Sequence, residues 1–512
     1  MTSDTAPDKS ALGHPKRWPI LAILNLSLVL IVASVSSLNL AIPSIQRALN
    51  ASAAELVWIN ASYALVFAGL LLPAGALGDR YGRKPALIVG LSIFLVSALV
   101  ATTSGDANQL IVLRGVMGVG AALTMPATLS IITVIFPPNE RTKAIAIWSG
   151  FAGAGAAIGI VASGLLLKSF WWGSVFLVNV PIAALALALV ITMVPDSKDA
   201  EKRPLDPAGS LLSIIGLTSL VYGLIQGPEF GWTDPIVIGV FVLAAVAAGA
   251  WVKVGLTQKD PLLDPRLFRI PRFAVGSLTI TIAFTVMFGM FFVLTQYLQF
   301  AVGYSPLEAA VRTLPFAGAM VAVAPNGPKV VAKLGAGRTI SLGLGISAIG
   351  LFGYGFWSTT TPYAVVALCL VTTAVGMALA FPASTEAIVS SLPENKAGVG
   401  SAMNDTTREV GGAIGIALLG TLLSSGYRSS LGSATDGLPA EAAELAQDNI
   451  GAALFVASQS PGGEALAAAA RSAFVDGMQI AMWTGSALMV VASAYVIRRF
   501  PSGSAGYGEA GS

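Results

Sequence analysis

Charge is what this chain has least of. Only 11% of its 512 residues are Asp, Glu, Lys or Arg, against about a quarter in a soluble domain. So few charges cannot furnish a water-facing surface for a chain this long. With 55% hydrophobic residues and a mean hydropathy of +0.78, lipid must be the solvent. Cysteine and histidine are nearly missing as well. The single Cys369 excludes an intrachain disulfide, and the single histidine, His14, lies in the polar N-terminal stretch, so no Cys/His cluster can bind zinc. Any proton handled inside the membrane must therefore ride on a carboxylate.

What is present is a series of long apolar runs. Runs of roughly 17 to 25 such residues can cross a ~30 Å hydrocarbon core as helices. They lie near 18–41, 56–77, 85–104, 109–135, 142–166 and 172–194, then 208–226 and 235–254, then 273–299, 308–332, 339–357, 362–388, 398–424 and 474–497. This order predicts an all-α polytopic membrane protein with fourteen transmembrane helices. It has a tail at 1–17, a six-helix bundle at 18–194, two central helices with linkers at 195–270, a second six-helix bundle at 271–497 and a tail at 498–512. The segment 425–473 is one long outer loop, rich in Ala, Gly and acids, for which short surface helices and disorder both remain open.

Lys and Arg placement orients the chain. Starting from a cytoplasmic N-terminus, only Arg47, Lys168, Arg312, Arg428 and Arg471 of the 29 basic residues reach the outer side. Arg114 and Arg408 fall inside helices. The rest collect on the inner side, as the positive-inside rule requires. The expectation is a multi-pass protein of a bacterial plasma membrane with both termini cytoplasmic. The first apolar run is too long for a signal-peptide core, and a Pro43 turn follows it rather than a processing site.

The sharpest local motif is Gly75-Ala76-Leu77-Gly78-Asp79-Arg80-Tyr81-Gly82-Arg83-Lys84, between the second and third helices. Gly82 permits a turn, and Arg80, Arg83 and Lys84 sit at the anionic inner leaflet. Asp79 can pair with that cluster or with a neighbouring helix N-terminus. Further along come Asn39-Leu40-Ala41-Ile42-Pro43, the Trp172–Pro181 stretch, Leu205-Asp206-Pro207-Ala208-Gly209, Pro261–Phe268 and Tyr304–Ala309. Together these resemble the major facilitator superfamily, and more narrowly its fourteen-helix drug:proton antiporters. The resemblance covers nearly the whole chain. It implies a major facilitator fold in which two six-helix bundles rock around a midplane cavity.

Charges inside spanning helices are costly and normally face a bundle interior or a wet cavity. Arg114, in the fourth helix, occupies the position of an arginine that the family links to proton coupling; the plainer reading is an arginine that snorkels to the outer interface. Asn404-Asp405-Thr406-Thr407-Arg408-Glu409 is the richest cluster. Asp405 and Glu409 are four residues apart and Arg408 is three from Asp405, so all share one helix face. At ~1.5 Å per residue from about position 398, Glu409 lies ~17 Å deep. Such a site can bind a proton reversibly, and the resemblance implies cation recognition or protonation there. A locked ion-pair network is the structural alternative. Glu386 is a weaker candidate that can face the cytoplasm.

Gly155, Gly159 and Gly164 in the fifth helix suit close helix packing. The family's antiporter motif has a proline and a glycine where this chain has Ile160 and Ser163. Family members that export cationic drugs also carry an aspartate in the first helix, where this chain has Ser34. That departure turns the substrate expectation from dications towards neutral, zwitterionic or weakly charged lipophiles. Asn39, Asn60 and Tyr63 can supply cavity hydrogen bonds, and Phe288, Phe292 and Gln296 a soft cavity wall; lipid-facing aromatics explain the latter nearly as well. No phosphate-binding loop supports ATP drive. The expected function is proton-driven export of hydrophobic drugs or antibiotics, with no cofactor, no nucleic acid and a monomeric state. Dedicated export of one endogenous metabolite or lipid is the alternative, and a membrane enzyme or receptor the poorest fit.

Overall fold

The computed structural model describes residues 13–51, 53–198, 204–392, 396–436, 438–459 and 463–501, apart from a few side chains within them. Hydrocarbon offers no partner for backbone N–H and C=O groups, so each apolar run closes its own hydrogen bonds as a helix. The first half comprises α1 (Arg17–Leu49), α2 (Ala53–Tyr81), α3 (Arg83–Ala101), α4 (Ala107–Ile135), α5 (Pro138–Ser169), α6 (Ser174–Leu177) and α7 (Asn179–Met193). A central pair follows, α8 (Pro207–Phe230) and α9 (Pro235–Thr257). The second half comprises α10 (Pro271–Gln296), α11 (Pro306–Val323), α12 (Gly327–Leu334), α13 (Ala336–Tyr354), α14 (Tyr363–Val389), α15 (Ala397–Leu431), α16 (Ala440–Asp448), α17 (Ile450–Gln459) and α18 (Glu464–Arg499).

Among the described residues, 13 helical stretches are long and apolar enough to cross a membrane. The remaining expected span is α5, whose 32 residues reach the required length and include the apolar run near 142–166. Two expected spans are broken rather than continuous. Pro181 has no N–H for the Leu177 carbonyl, and the sixth span divides into α6 and α7. Pro325 and Pro328 likewise interrupt the tenth span, with a 3₁₀ turn at Ala324–Asn326 between α11 and α12.

Two hydrophobic cores form, one from α1 to α7 and the other chiefly from α10 to α18. α8 joins neither. It lies against both α2 and α15, with Val221 packed beside Ala61, Leu65 and Ala68 and the Tyr222 ring 5.8 Å from Trp58. Several segments that carried the family resemblance are caps. Asp206 accepts from Gly209 N at the start of α8 and from Leu262 N in the next linker (2.7 and 3.1 Å). Ser305 and Glu308 form a capping box for α11.

The chain ends meet one face. His14 N donates to Ile135 O at the α4–α5 turn, and Phe500 packs on Gly337 at the start of α13. We call this the terminal face. On the opposite face the expected loop 425–473 is largely helical. α15 and α18 extend into it, and α16 and α17 fold back so that Tyr427 Oη donates to Ala446 O (2.8 Å) and Arg428 pairs with Asp448 (3.4 Å).

Candidate functional site

The motif loop ties the two halves together at the terminal face. Gly82, at φ 120°, turns the chain from α2 into α3 in a conformation that a side chain would strain. Asp79, just before it, is buried. Its Oδ1 accepts from Arg83 Nε (3.0 Å), Arg83 Nη2 (2.8 Å) and Gly398 N (2.9 Å), and its Oδ2 accepts from Val399 N (3.1 Å). Gly398 and Val399 belong to the first turn of α15, whose N–H groups have no partner within the helix and whose dipole favours an anion. Gly75 permits the approach, because a Cβ there would stand 2.5 Å from Gly398 O. Lys84 Nζ donates to Ile191 O (2.9 Å) near the end of α7, and Arg80 lies over the Tyr81 ring at 5.5 Å. The loop is thus a joint, with each base assigned to a different carbonyl, ring or carboxylate.

Deeper along α15 the expected cluster assembles. Arg408 Nη1 donates to Asp405 Oδ1 (3.4 Å), and the pair is enclosed, at 8% and 1% exposure. The same guanidinium lies 4.7 Å from the Phe284 ring of α10 and 5.2 Å from the Trp148 ring of α5. Trp148 belongs to the other half and is held by its Nε1, which donates to Thr128 Oγ1 (3.2 Å). Arg408 therefore bridges the halves through two aromatic faces, an arrangement that is strong when desolvated. Asn404 donates to Asp405 Oδ1 (3.3 Å) and accepts from Thr385 Oγ1 of α14 (3.0 Å). Asp405 Oδ2 is enclosed and has no hydrogen-bond partner among the described residues. Glu409 is half-buried on the next turn.

Arg114 takes a different place from the one expected. It is fully buried, its Nε donates to Ile59 O (3.2 Å), and its guanidinium lies 4.4 Å from the Tyr63 ring. Its two terminal nitrogens have no hydrogen-bond partner among the described residues, so it forms no ion pair with Asp405 or Glu409. Ile59 and Tyr63 are one helical turn apart, so α2 presents a carbonyl and a ring to Arg114 from a single face. Arg114 neither snorkels nor joins the α15 acids.

The cavity candidates are dispersed. Tyr63 is buried against Phe67, with its hydroxyl enclosed and unpartnered among the described residues, and Asn60 is half-buried one turn before it. Asn39 lies on α1, but its side chain falls outside the described residues. Phe288 packs on Gly412 and Phe292 on Gly420, both along the α10–α15 contact, and Gln296 donates to Phe292 O of its own helix (3.3 Å). Gly155 packs on Val32, Gly159 meets the Ala33 backbone of α1, and Gly164 is half-buried. Trp148 escaped the sequence reading entirely. A lone indole on an apolar helix carries no signal of the guanidinium it will face.

Comparison with known proteins agrees with this geometry. The family model of the Major Facilitator Superfamily matches residues 24–416. The tetracenomycin C resistance and export protein of Streptomyces glaucescens is 32% identical over 515 residues, covering 97% of this chain and 95% of that protein. The multidrug efflux pump LfrA of Mycolicibacterium smegmatis is 33% identical, covering 94% and 96%. Among solved structures, the human organic anion transporter MFSD10 superposes with a TM-score of 0.63 at 14% identity, over 94% of this chain and all of that one. The chain is a multi-pass membrane transporter that belongs to the Major Facilitator Superfamily and is related to its drug- and antibiotic-resistance exporters.

Proposed function

We propose that this transporter exports lipophilic or amphiphilic small molecules across a bacterial plasma membrane in exchange for protons, with both termini in the cytoplasm. The observation that carries the reading is the α15 trio, with Asp405 and Arg408 enclosed and Glu409 half-buried beside them, where α15 touches both halves. A buried carboxyl with one oxygen paired to arginine and the other unpartnered can exist with or without its proton at moderate cost. Proton uptake at Asp405 weakens its hold on Arg408, which in turn meets Trp148 of the other half. Charge change and relative movement of the halves are coupled at one side chain.

The substrate preference follows from the first half. α1 carries Ser34, enclosed at 2% exposure, where an acid would attract a dication, and α2 has no carboxylate between Glu55 and Asp79. Relatives named for resistance to tetracenomycin C and to methyl viologen bracket the possibilities. The reading favours neutral, zwitterionic or weakly charged lipophiles over dications.

Transport in everted vesicles under an imposed pH gradient tests the reading, with rhodamine B as a zwitterionic probe and methyl viologen as a dication. Rhodamine B should accumulate only with the gradient, and methyl viologen at least tenfold less. Asp405→Asn and Glu409→Gln should each abolish gradient-driven accumulation. Undiminished coupling in both variants removes the assignment.

A further inference from the structure

Glu386, in the last turns of α14, is a membrane carboxylate outside the α15 trio. Its residue is partly accessible, yet its Oε2 is enclosed and has no hydrogen-bond partner among the described residues. The positive charge that acts on it is Arg141 at the start of α5, on the other half of the molecule. The neighbouring Thr385 is the residue that donates to Asn404 Oδ1, and Asn404 in turn donates to Asp405. One hydrogen-bonded contact between α14 and α15 therefore separates the surroundings of Glu386 from Asp405.

The turns of α14 and α15 that flank this contact carry buried polar groups without partners among the described residues. Ser384 and Ser401 are both fully buried, and their hydroxyls, like that of Thr406 and Asp405 Oδ2, lack partners among the described residues. Ser401 stands one helical turn from Asp405 towards the terminal face. Enclosed polar atoms without partners are expensive in a membrane interior. A hydroxyl both donates and accepts, so a row of them can hand a proton along. Each end of the row has its own cation: Arg408 for Asp405 and Arg141 for Glu386.

We propose that Glu386 is the proton-exchange group on the terminal side, receiving the proton released by the α15 acids and passing it to water at that face. The proposal rests on the proton-coupled reading of Asp405 and Glu409. In the transfer, the O–H bond at Asp405 breaks as one forms at Glu386, leaving Asp405 ionised beside Arg408 and Glu386 neutral. Glu386 then loses the proton to water and is ionised within reach of Arg141. No other reactant is needed, and net charge is conserved at each step.

The test uses the full chain in proteoliposomes, with rhodamine B as probe and a trapped pH dye. Glu386→Gln should keep counterflow exchange of rhodamine B without a gradient within twofold of wild type, while gradient-driven uptake and proton release each fall at least tenfold. Glu386→Asp should restore most of both. Coupling within twofold of wild type in Glu386→Gln overturns the proposal, and so does a parallel loss of counterflow, which would mark a structural contact with Arg141. If Glu386→Gln does not fold, Glu386→Ala decides: proton release at least tenfold slower with counterflow kept supports the relay, and unchanged release overturns it. Asp405→Asn and Glu409→Gln run alongside. If those two keep coupling, the α15 reading has failed; if they lose it while Glu386→Gln does not, only the present inference has.

Discussion

The two halves treat buried charge in opposite ways. The first half encloses Arg114 on a carbonyl and a tyrosine ring, with no acid beside it. The second encloses Asp405 with Arg408 and sets Glu409 on the next turn. A guanidinium cannot give up its proton in a protein, so the Arg114 side holds a constant charge. A carboxylate can, so a change of charge deep in the membrane belongs to the second half, at Asp405 and Glu409 of α15 and at Glu386 of α14. The contrast assigns titration to the second half, where α15 also receives Asp79 at its start, Trp148 at Arg408 and α8 along its flank. The helix that carries two of these acids is the one that both halves grip.

The contrast can be broken most forcefully at Arg408. Arg408→Leu strands Asp405 as an unpaired buried charge and should cost about 3–5 kcal/mol of stability, measured by denaturation in detergent micelles. Arg408→Leu combined with Asp405→Asn should recover most of that loss. Arg114→Leu leaves no acid behind and should cost less than half as much; an equal loss would mean that the halves do not differ as described.

The joint at the terminal face gives smaller effects. Gly75→Val drives a side chain into the Gly398 carbonyl, and overpacking of this kind costs about 1–3 kcal/mol. It should lower disulfide cross-linking between cysteines introduced at Ala76 and Ala402. Asp79→Asn keeps the shape but removes the charge from both the α15 N-terminus and the buried Arg83, a loss of about 1–3 kcal/mol, read as a severalfold fall in the same cross-link. An effect larger than that of Gly75→Val would make charge rather than close packing the stronger tie. Smallest is Tyr427→Phe on the opposite face. It removes one hydrogen bond to Ala446 and should cost about 1 kcal/mol, without altering coupling.

Much of this was legible from spacing along the chain. Lipid forces each apolar run into a helix, so the spans could be counted from composition, and a period of 3.6 residues puts Asp405, Arg408 and Glu409 on one face wherever the helix sits. The Gly75–Lys84 loop announced a turn rich in bases, and Gly82 supplies it. Breaks at Pro181, Pro325 and Pro328 were readable in principle, because a missing N–H is a local fact, yet the apolar runs masked them. Other features had no local trace. Asp79 finds its donors at Gly398 and Val399, Arg408 finds Trp148, and Arg114 finds the Tyr63 ring. Helix formation answers to neighbours within a turn or two. Which charge meets which partner depends on how helices hundreds of residues apart cross, and that is settled by packing both halves against α15.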